Sequence, residues 1–246
     1  MKQKTLLFST LLLALSCSDP GDGNAPQDEV TDVPAVYQRF TDNVTLYVEG
    51  EFLVIETDDI PNHPSPYFSQ TDSRYEAYNG SNSNFHRNPN TIAEQNITLR
   101  IPLNPTPATQ NEATPLGAIG ISLNGVVFFN QYAGPNNQPL TNEIDSFDQY
   151  LGHPANSGNY HYHQEPLYLT TNNGSDALLG WLLDGYPVYG PVENGSRVNN
   201  GQLDEFHGHN HATTDYPEGI YHYHFTDADP YINGSGFYGV AGTVTN

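Results

Sequence analysis

The stretch Gly180-Trp181-Leu182-Leu183-Asp184-Gly185-Tyr186-Pro187-Val188-Tyr189 sets apolar runs on either side of an Asp-Gly pair. That is the pattern of two strands joined by a two-residue hairpin turn. Gly120-Ile121-Ser122-Leu123-Asn124-Gly125-Val126-Val127-Phe128-Phe129 matches it without a gap at an offset of 60. The echo continues outward. Ile144-Asp145-Ser146-Phe147 matches Leu203-Asp204-Glu205-Phe206 at 59, Gly152-His153 matches Gly208-His209 at 56, and Tyr160-His161-Tyr162-His163 matches Tyr221-His222-Tyr223-His224 at 61. These offsets predict a tandem duplication, residues 118–163 and 178–224, each a hairpin, an acidic turn, a Gly-His pair and a Tyr-His-Tyr-His strand. Two copies of this length point to one domain with internal pseudo-symmetry rather than an open array. The loops between the motifs have diverged, Pro154-Ala155-Asn156-Ser157 against the longer run from Asn210 to Glu218, while the histidines have not. That contrast favours function over shared descent.

The rest of the chain fits the same class. Val44-Thr45-Leu46-Tyr47-Val48, Glu49-Gly50 and Phe52-Leu53-Val54-Ile55 read as a hairpin, and Ile97-Thr98-Leu99-Arg100-Ile101 as a strand stopped by Pro102. Only Thr141 to Tyr150 suggests a short helix, with Thr141 as its cap and Glu143 and Asp145 in its first turn. Residues 62–90, rich in Pro, Asn, Ser and Tyr, read as a long ordered loop. Many short strands punctuated by Gly and Pro predict an all-β, sandwich or barrel-like single domain over residues 39–246.

Eight of the ten histidines lie between positions 153 and 224. In an extended strand alternate side chains share a face, so His161 and His163 point one way and the intervening tyrosines the other. Neutral imidazole is a common ligand for transition metals. The candidate metal ligands are therefore His153, His161, His163, His209, His222 and His224, with Asp145 and Asp204 as matched acidic positions that could ligate or orient a histidine. Six such histidines could hold two ions three-and-three, or one shared ion with four. The competing reading is structural: the strands pair, tyrosines fill the core and the histidines bond to backbone. His207 and His211 have no partner in the other unit and read as exposed or as a weak outer site. His63 and His86 read as surface residues, and Asp184 as a turn former. With no cysteine or placed methionine for a soft site, copper(II) or zinc(II) is the expected ion. No EF-hand spacing supports calcium.

Met1-Lys2-Gln3-Lys4 is a short basic start, and Thr5 to Leu15 is apolar but too short to span a membrane. Ser16-Cys17, holding the only cysteine, resembles a lipoprotein cleavage and lipidation site. Residues 1–16 are thus expected to be a signal peptide, Cys17 a lipid anchor, and residues 17–38 a flexible tether, placing the protein in the cell envelope, as an outer-membrane lipoprotein or at the cell surface. A lone cysteine excludes an internal disulfide. Without Lys2 and Lys4 the basic residues are five arginines, against 28 acidic residues. Nothing there neutralises phosphates, so nucleic acid is an improbable partner.

The paired Gly-x-Tyr-His-Tyr-His segments, the Gly-His before them and the run Leu183-Asp184-Gly185-Tyr186-Pro187-Val188-Tyr189-Gly190-Pro191 together resemble the YHYH family of secreted proteins. The resemblance covers roughly residues 115–240. Relatives often carry a cysteine near the Gly-His and another near the final Gly-Phe-Tyr-Gly. Here those neighbourhoods read Tyr150-Leu151-Gly152 and Ser235-Gly236-Phe237-Tyr238-Gly239, so any family disulfide is absent. The resemblance implies secretion and domain limits, and no reaction. Three functions follow from the residues: a surface-anchored metal-binding lipoprotein, a metal-dependent enzyme with an open imidazole-ligated position, or a glycan-binding module using tyrosines as a stacking platform. No nucleophile elbow, Cys-His pair or phosphate loop is present.

Overall fold

The computed structural model describes residues 32–246. The expected signal peptide, Cys17 and most of the tether lie outside the described residues. Sixteen strands follow in chain order: β1 Val44–Glu49, β2 Phe52–Thr57, β3 Ile97–Pro102, β4 Ala118–Ser122, β5 Val127–Phe129, β6 Tyr132–Ala133, β7 Gln138–Pro139, β8 Gly152–Pro154, β9 Tyr160–Tyr162, β10 Leu178–Leu182, β11 Pro187–Tyr189, β12 Val192–Glu193, β13 Ser196–Arg197, β14 Gly208–His211, β15 Ile220–His224 and β16 Thr243–Thr245. They form a four-stranded sheet in the order β1-β2-β3-β16, an eight-stranded sheet in the order β14-β15-β11-β10-β4-β5-β9-β8, and two small hairpins, β6-β7 and β12-β13. The fold is all-β and sandwich-like, and none of the sheets among the described residues closes into a barrel.

The eight-stranded sheet reads the same from either edge once each strand is replaced by its repeat partner. At its centre β4 and β10 run antiparallel, with Ile121 opposite Trp181, Gly120 opposite Leu182 and Ser122 opposite Gly180. Exchanging the two repeats maps this register onto itself, so a pseudo-twofold axis passes between Ile121 and Trp181. The outer registers agree. Val127 and Phe128 run parallel to His161 and Tyr162, as Val188 and Tyr189 do to Tyr223 and His224. His153 pairs with His161 as His209 pairs with His222.

The small sheet alternates as a one-sided sheet should. Ile97, Leu99 and Ile101 of β3 are buried while the residues between them are only partly covered. Its apolar face joins one hydrophobic cluster with the large sheet, in which Trp181, Phe128, Phe225 and the four tetrad tyrosines are almost wholly buried.

Four expectations are corrected by the structure. The hairpin loops hold three residues, not two. Gly125 N donates to Ser122 O and Ser122 N to Val126 O, as Gly185 N does to Leu182 O and Leu182 N to Tyr186 O. Only the glycines have positive φ, 82° and 81°, so Asn124 and Asp184 keep ordinary backbone and Gly takes the left-handed bulge position. The expected helix at 141–150 is a single 3-10 turn, Ile144–Ser146; the one α-helix of the described residues, α1, is Leu167–Asn173. The tether stops short of 38, because Ala35–Arg39 forms a 3-10 turn and buries Tyr37 4.7 Å from the Trp181 ring. Finally, His63 is not a surface residue. It is 1% exposed, with Nε2 2.8 Å from Tyr162 Oη and Nδ1 3.0 Å from Pro64 O.

Candidate metal centres

Each tetrad strand is a two-faced device. On the tyrosine face every hydroxyl is tied down. Tyr160 Oη donates to Asp148 Oδ2 at 2.8 Å and Tyr221 Oη to Asp204 Oδ1 at 2.8 Å. Tyr223 Oη donates to Asp184 Oδ2 at 2.7 Å, and Tyr162 Oη meets Asn124 Nδ2 at 3.2 Å. Asp184 is therefore more than a turn former: its buried carboxylate also accepts Gly239 N at 2.9 Å. Burial raises both the Asp148 and Asp184 carboxyls to about 6.

The histidine faces make two clusters. In the first, His161 Nε2 lies 3.0 Å from His153 Nε2 and 3.1 Å from His163 Nε2, and His153 Nε2 is 3.3 Å from Glu143 Oε1. In the second, Glu193 Oε1 stands among four histidines, 2.7 Å from His211 Nε2, 3.4 Å from His209 Nε2 and 3.5 Å from the Nε2 atoms of both His222 and His224. The potential ligand atoms of Glu143, His153, His161 and His163 all fall within 4.8 Å of one another, and so do those of Glu193, His209, His211 and His222. Each group could hold a metal ion.

The hydrogen bonds set the tautomers. His161 Nδ1 is 3.1 Å from Asn159 O and His163 Nδ1 is 2.6 Å from Asn130 O. A carbonyl can only accept, so both Nδ1 atoms carry the proton. His153 Nδ1 lies 2.7 Å from Ser146 Oγ, whose own hydrogen goes to Glu143 O at 2.7 Å, so this nitrogen donates too. Asn88 Nδ2, 3.5 Å from the same nitrogen, is better placed on Pro154 O at 3.0 Å. A neutral imidazole has one ring hydrogen, hence the His161 Nε2 lone pair faces those of His153 and His163 at 3.0 and 3.1 Å. The second cluster repeats this. His222 Nδ1 donates to Ile220 O at 2.9 Å, His224 Nδ1 to Gly190 O at 2.7 Å and His211 Nδ1 to Ala212 O at 3.1 Å. His222 Nε2 and His224 Nε2 are buried without a hydrogen-bond partner: with the ring hydrogen on Nδ1, neither has one to give Glu193 at 3.5 Å.

Burial works against charging the central rings. Burial, then the charges of His153 and His163, holds His161 well below the ordinary imidazole range. Burial lowers His163 and His222 to about 4, and His209 and His224 are lowered for the same first reason. Burial works to raise the Glu143 and Glu193 carboxyls, but the facing histidines outweigh it and hold both below the usual value. Converging lone pairs and a carboxylate, oriented through Nδ1, are the donor set a divalent transition metal takes up.

All six histidines predicted as ligands lie in the clusters. The two predicted aspartates do not. Asp145 Oδ1 accepts from Asn82 Nδ2 at 3.0 Å, and Asp204 Oδ1 accepts Phe206 N at 2.9 Å, Gly208 N at 3.2 Å and Tyr221 Oη. Nor is Asp145 the counterpart of Asp204. The 56-residue offset of the Gly-His pairs runs back to Asp148, which accepts Tyr150 N and Gly152 N in the same way. The carboxylates in the clusters are Glu143 and Glu193, which precede and follow different motifs. His211 joins the second cluster, whereas His207 is buried with Nε2 3.0 Å from Thr226 Oγ1 and is neither exposed nor part of an outer site. His86 is exposed, as expected.

A single shared ion is excluded by the topology. β9 and β15 stand five strand steps apart in the sheet, about 24 Å at the usual spacing. The surroundings also differ. His222 and His224 are as buried as the three histidines of the first cluster, all at 2% exposure or less, but a cavity of about 440 Å³ borders the second cluster at Glu193, His211, His222 and His224.

Fold and site together define an all-β protein whose internal dyad carries two separate imidazole-carboxylate clusters. The profile of the YHYH protein family matches residues 98–199 and 192–236, more than half of the chain, and the chain belongs to that family. No curated protein and no solved structure matches it.

Proposed function

We propose that this is an exported, lipid-anchored protein that binds two transition-metal ions, copper(II) or zinc(II), one in each half. The observation that carries the reading is the set of Nε2 lone pairs facing each other at 3.0 and 3.1 Å in the first cluster, with its counterpart around Glu193. Packing alone accounts for the Nδ1 bonds to backbone carbonyls, but it leaves the Nε2 atoms repelling one another. The donors are nitrogen and carboxylate oxygen without sulfur, which suits zinc(II) and copper(II) and argues against copper(I). The tetrad tyrosines are buried and bonded internally, so they offer a glycan no stacking surface.

Metal analysis of protein purified without a histidine tag and reconstituted with zinc tests the reading. Two ions per chain are expected, one in His161→Ala/His163→Ala, one in His222→Ala/His224→Ala, and none when all four are replaced. A folded parent protein that retains no metal would leave the histidines as packing groups. The anchor is tested separately: Cys17→Ser should abolish palmitate labelling and release the protein from membranes.

A further inference from the structure

The two centres are copies in their strands and differ in what covers them. In the first, Phe129 stacks on His161, ring centroids 3.8 Å apart and 17° from parallel. Phe147 lies 10° from parallel to His163 at 5.7 Å and edge-on to His153 at 4.8 Å. Two aromatic rings thus cover the three histidines of this cluster. In the second, Tyr189 holds the register position of Phe129, but it meets His222 edge-on at 5.2 Å and 70°. Its hydroxyl turns to Thr213 Oγ1 at 2.8 Å and Asp215 Oδ2 at 3.1 Å. At the 56-residue offset, the place of Phe147 is taken by Leu203. Tyr189 also tilts over His224 at 6.2 Å and 40° rather than stacking on it. The cavity is bordered by all four of Glu193, His211, His222 and His224; it opens on His211 and Glu193, 37% and 22% exposed, with His222 and His224 buried behind them.

The donors differ as well. Every histidine whose Nδ1 bond is described above is held by a fixed acceptor, and both carboxylates are partly exposed, Glu143 by 28% and Glu193 by 22%; of the two it is Glu193, on the two-residue strand β12, that borders the cavity. It is the ligand that can yield position. We propose that the second centre is a ligand-receiving metal site, open to the cavity, and that the first is a closed structural site. The proposal rests on the metal reading above and adds which ion can take an exogenous donor.

The cavity also selects the ligand. Arg39 at its wall is paired with Asp215, which leaves Asp176 and Glu193 to balance a divalent ion. With the ion in place the lining is close to neutral, without a free cation for a polyanion. The volume of about 440 Å³ falls in the range of small-molecule sites. The expected ligand is a small polar molecule, uncharged or singly charged, with one nitrogen or oxygen donor.

Copper(II) as the reconstituting ion and azide as the probe test this, read by the azide-to-copper absorption band and by electron paramagnetic resonance. In the parent protein with two coppers, azide should shift half of the resonance signal. It should shift all of it in His161→Ala/His163→Ala, which keeps only the second centre, and none in His222→Ala/His224→Ala. An excess of sulfate should not displace the azide. Bound copper that azide shifts at both centres, at neither, or at the first alone overturns the proposal while the metal reading stands. A parent chain that binds no copper overturns both, and copper content tells the cases apart. Because the half-shift is read on the parent, the proposal stays testable if either double variant fails to fold.

Discussion

Replacing His161 with alanine tests the energetic side of the metal reading most sharply, because this ring is the centre of its cluster. Its Nε2 is the atom within 3.0 and 3.1 Å of both neighbouring imidazoles, and its ring is 2% exposed beneath Phe129. The metal-free protein loses a buried ring, a change of about 2–4 kcal/mol by comparison with other large-to-small core substitutions. Part of that loss is offset, since the same deletion removes two lone-pair clashes. The informative quantity is therefore the gain on adding metal. An ion at a hundred times its dissociation constant stabilises a site by about 2.7 kcal/mol. For a domain of this size each kcal/mol moves the melting temperature by about 2–4 °C, so each occupied site contributes about 5–11 °C. Calorimetry with and without zinc should show a shift of two sites in the parent and of one in His161→Ala, with the ion count falling from two to one. If His161→Ala keeps the full parental shift and both ions, its Nε2 is not a ligand and the argument from facing lone pairs is wrong.

Four further outcomes follow from the same contacts. Removing the Asp184 carboxylate by Asp184→Ala strands Tyr223 Oη and Gly239 N and should cost about 2–4 kcal/mol in urea unfolding, more than Tyr223→Phe. A methyl group at Gly180 would lie 2.0 Å from Ile121 O on the dyad, so Gly180→Ala should destabilise by about 2–3 kcal/mol; a neutral effect would mean the β4-β10 seam is looser than its register implies. Seven histidines, among them His63, His163, His207 and His222 at about 4, are held below their ordinary 6.5, and the unfolded chain takes up those protons first as pH falls. Their contribution is present above pH 6.5 and lost towards pH 4, while Asp59, Asp148 and Asp184, raised above 3.8, act in the opposite sense and are fewer. The metal-free protein should thus show a lower urea midpoint at pH 5.5 than at 7.5, and an increase would reverse the assignment. Bound zinc should likewise be released on acidification, because ligation needs neutral imidazole.

What could be read from the chain, and what could not, divides along the symmetry. Period-two alternation put the tetrad histidines on one face and the tyrosines on the other, and the offsets located the paired hairpins, because both signals survive in residue order alone. Matching by offset also had a cost. It joined Asp145 to Asp204 across a loop of changed length, where the hydrogen bonds to Tyr160 and Tyr221 show that Asp148 is the partner of Asp204. It passed over Glu143, Glu193 and His211, which have no like residue at the equivalent position: offsets of 56 and 60 place Asn199, Ala133 and Ala155 there. His63 was missed for another reason. Its partner Tyr162 lies 99 residues away, a distance no local pattern spans. The unmatched residues are the ones that distinguish the two centres. Strands, Gly-His pairs and tetrads build the same imidazole scaffold twice, whereas Phe129, Phe147 and Glu143 complete it under two aromatic rings and Tyr189, His211 and Glu193 beside a cavity. On the proposed reading, duplicated chemistry kept closed in one half and opened in the other would let a single domain hold one ion for structure and present another to a ligand.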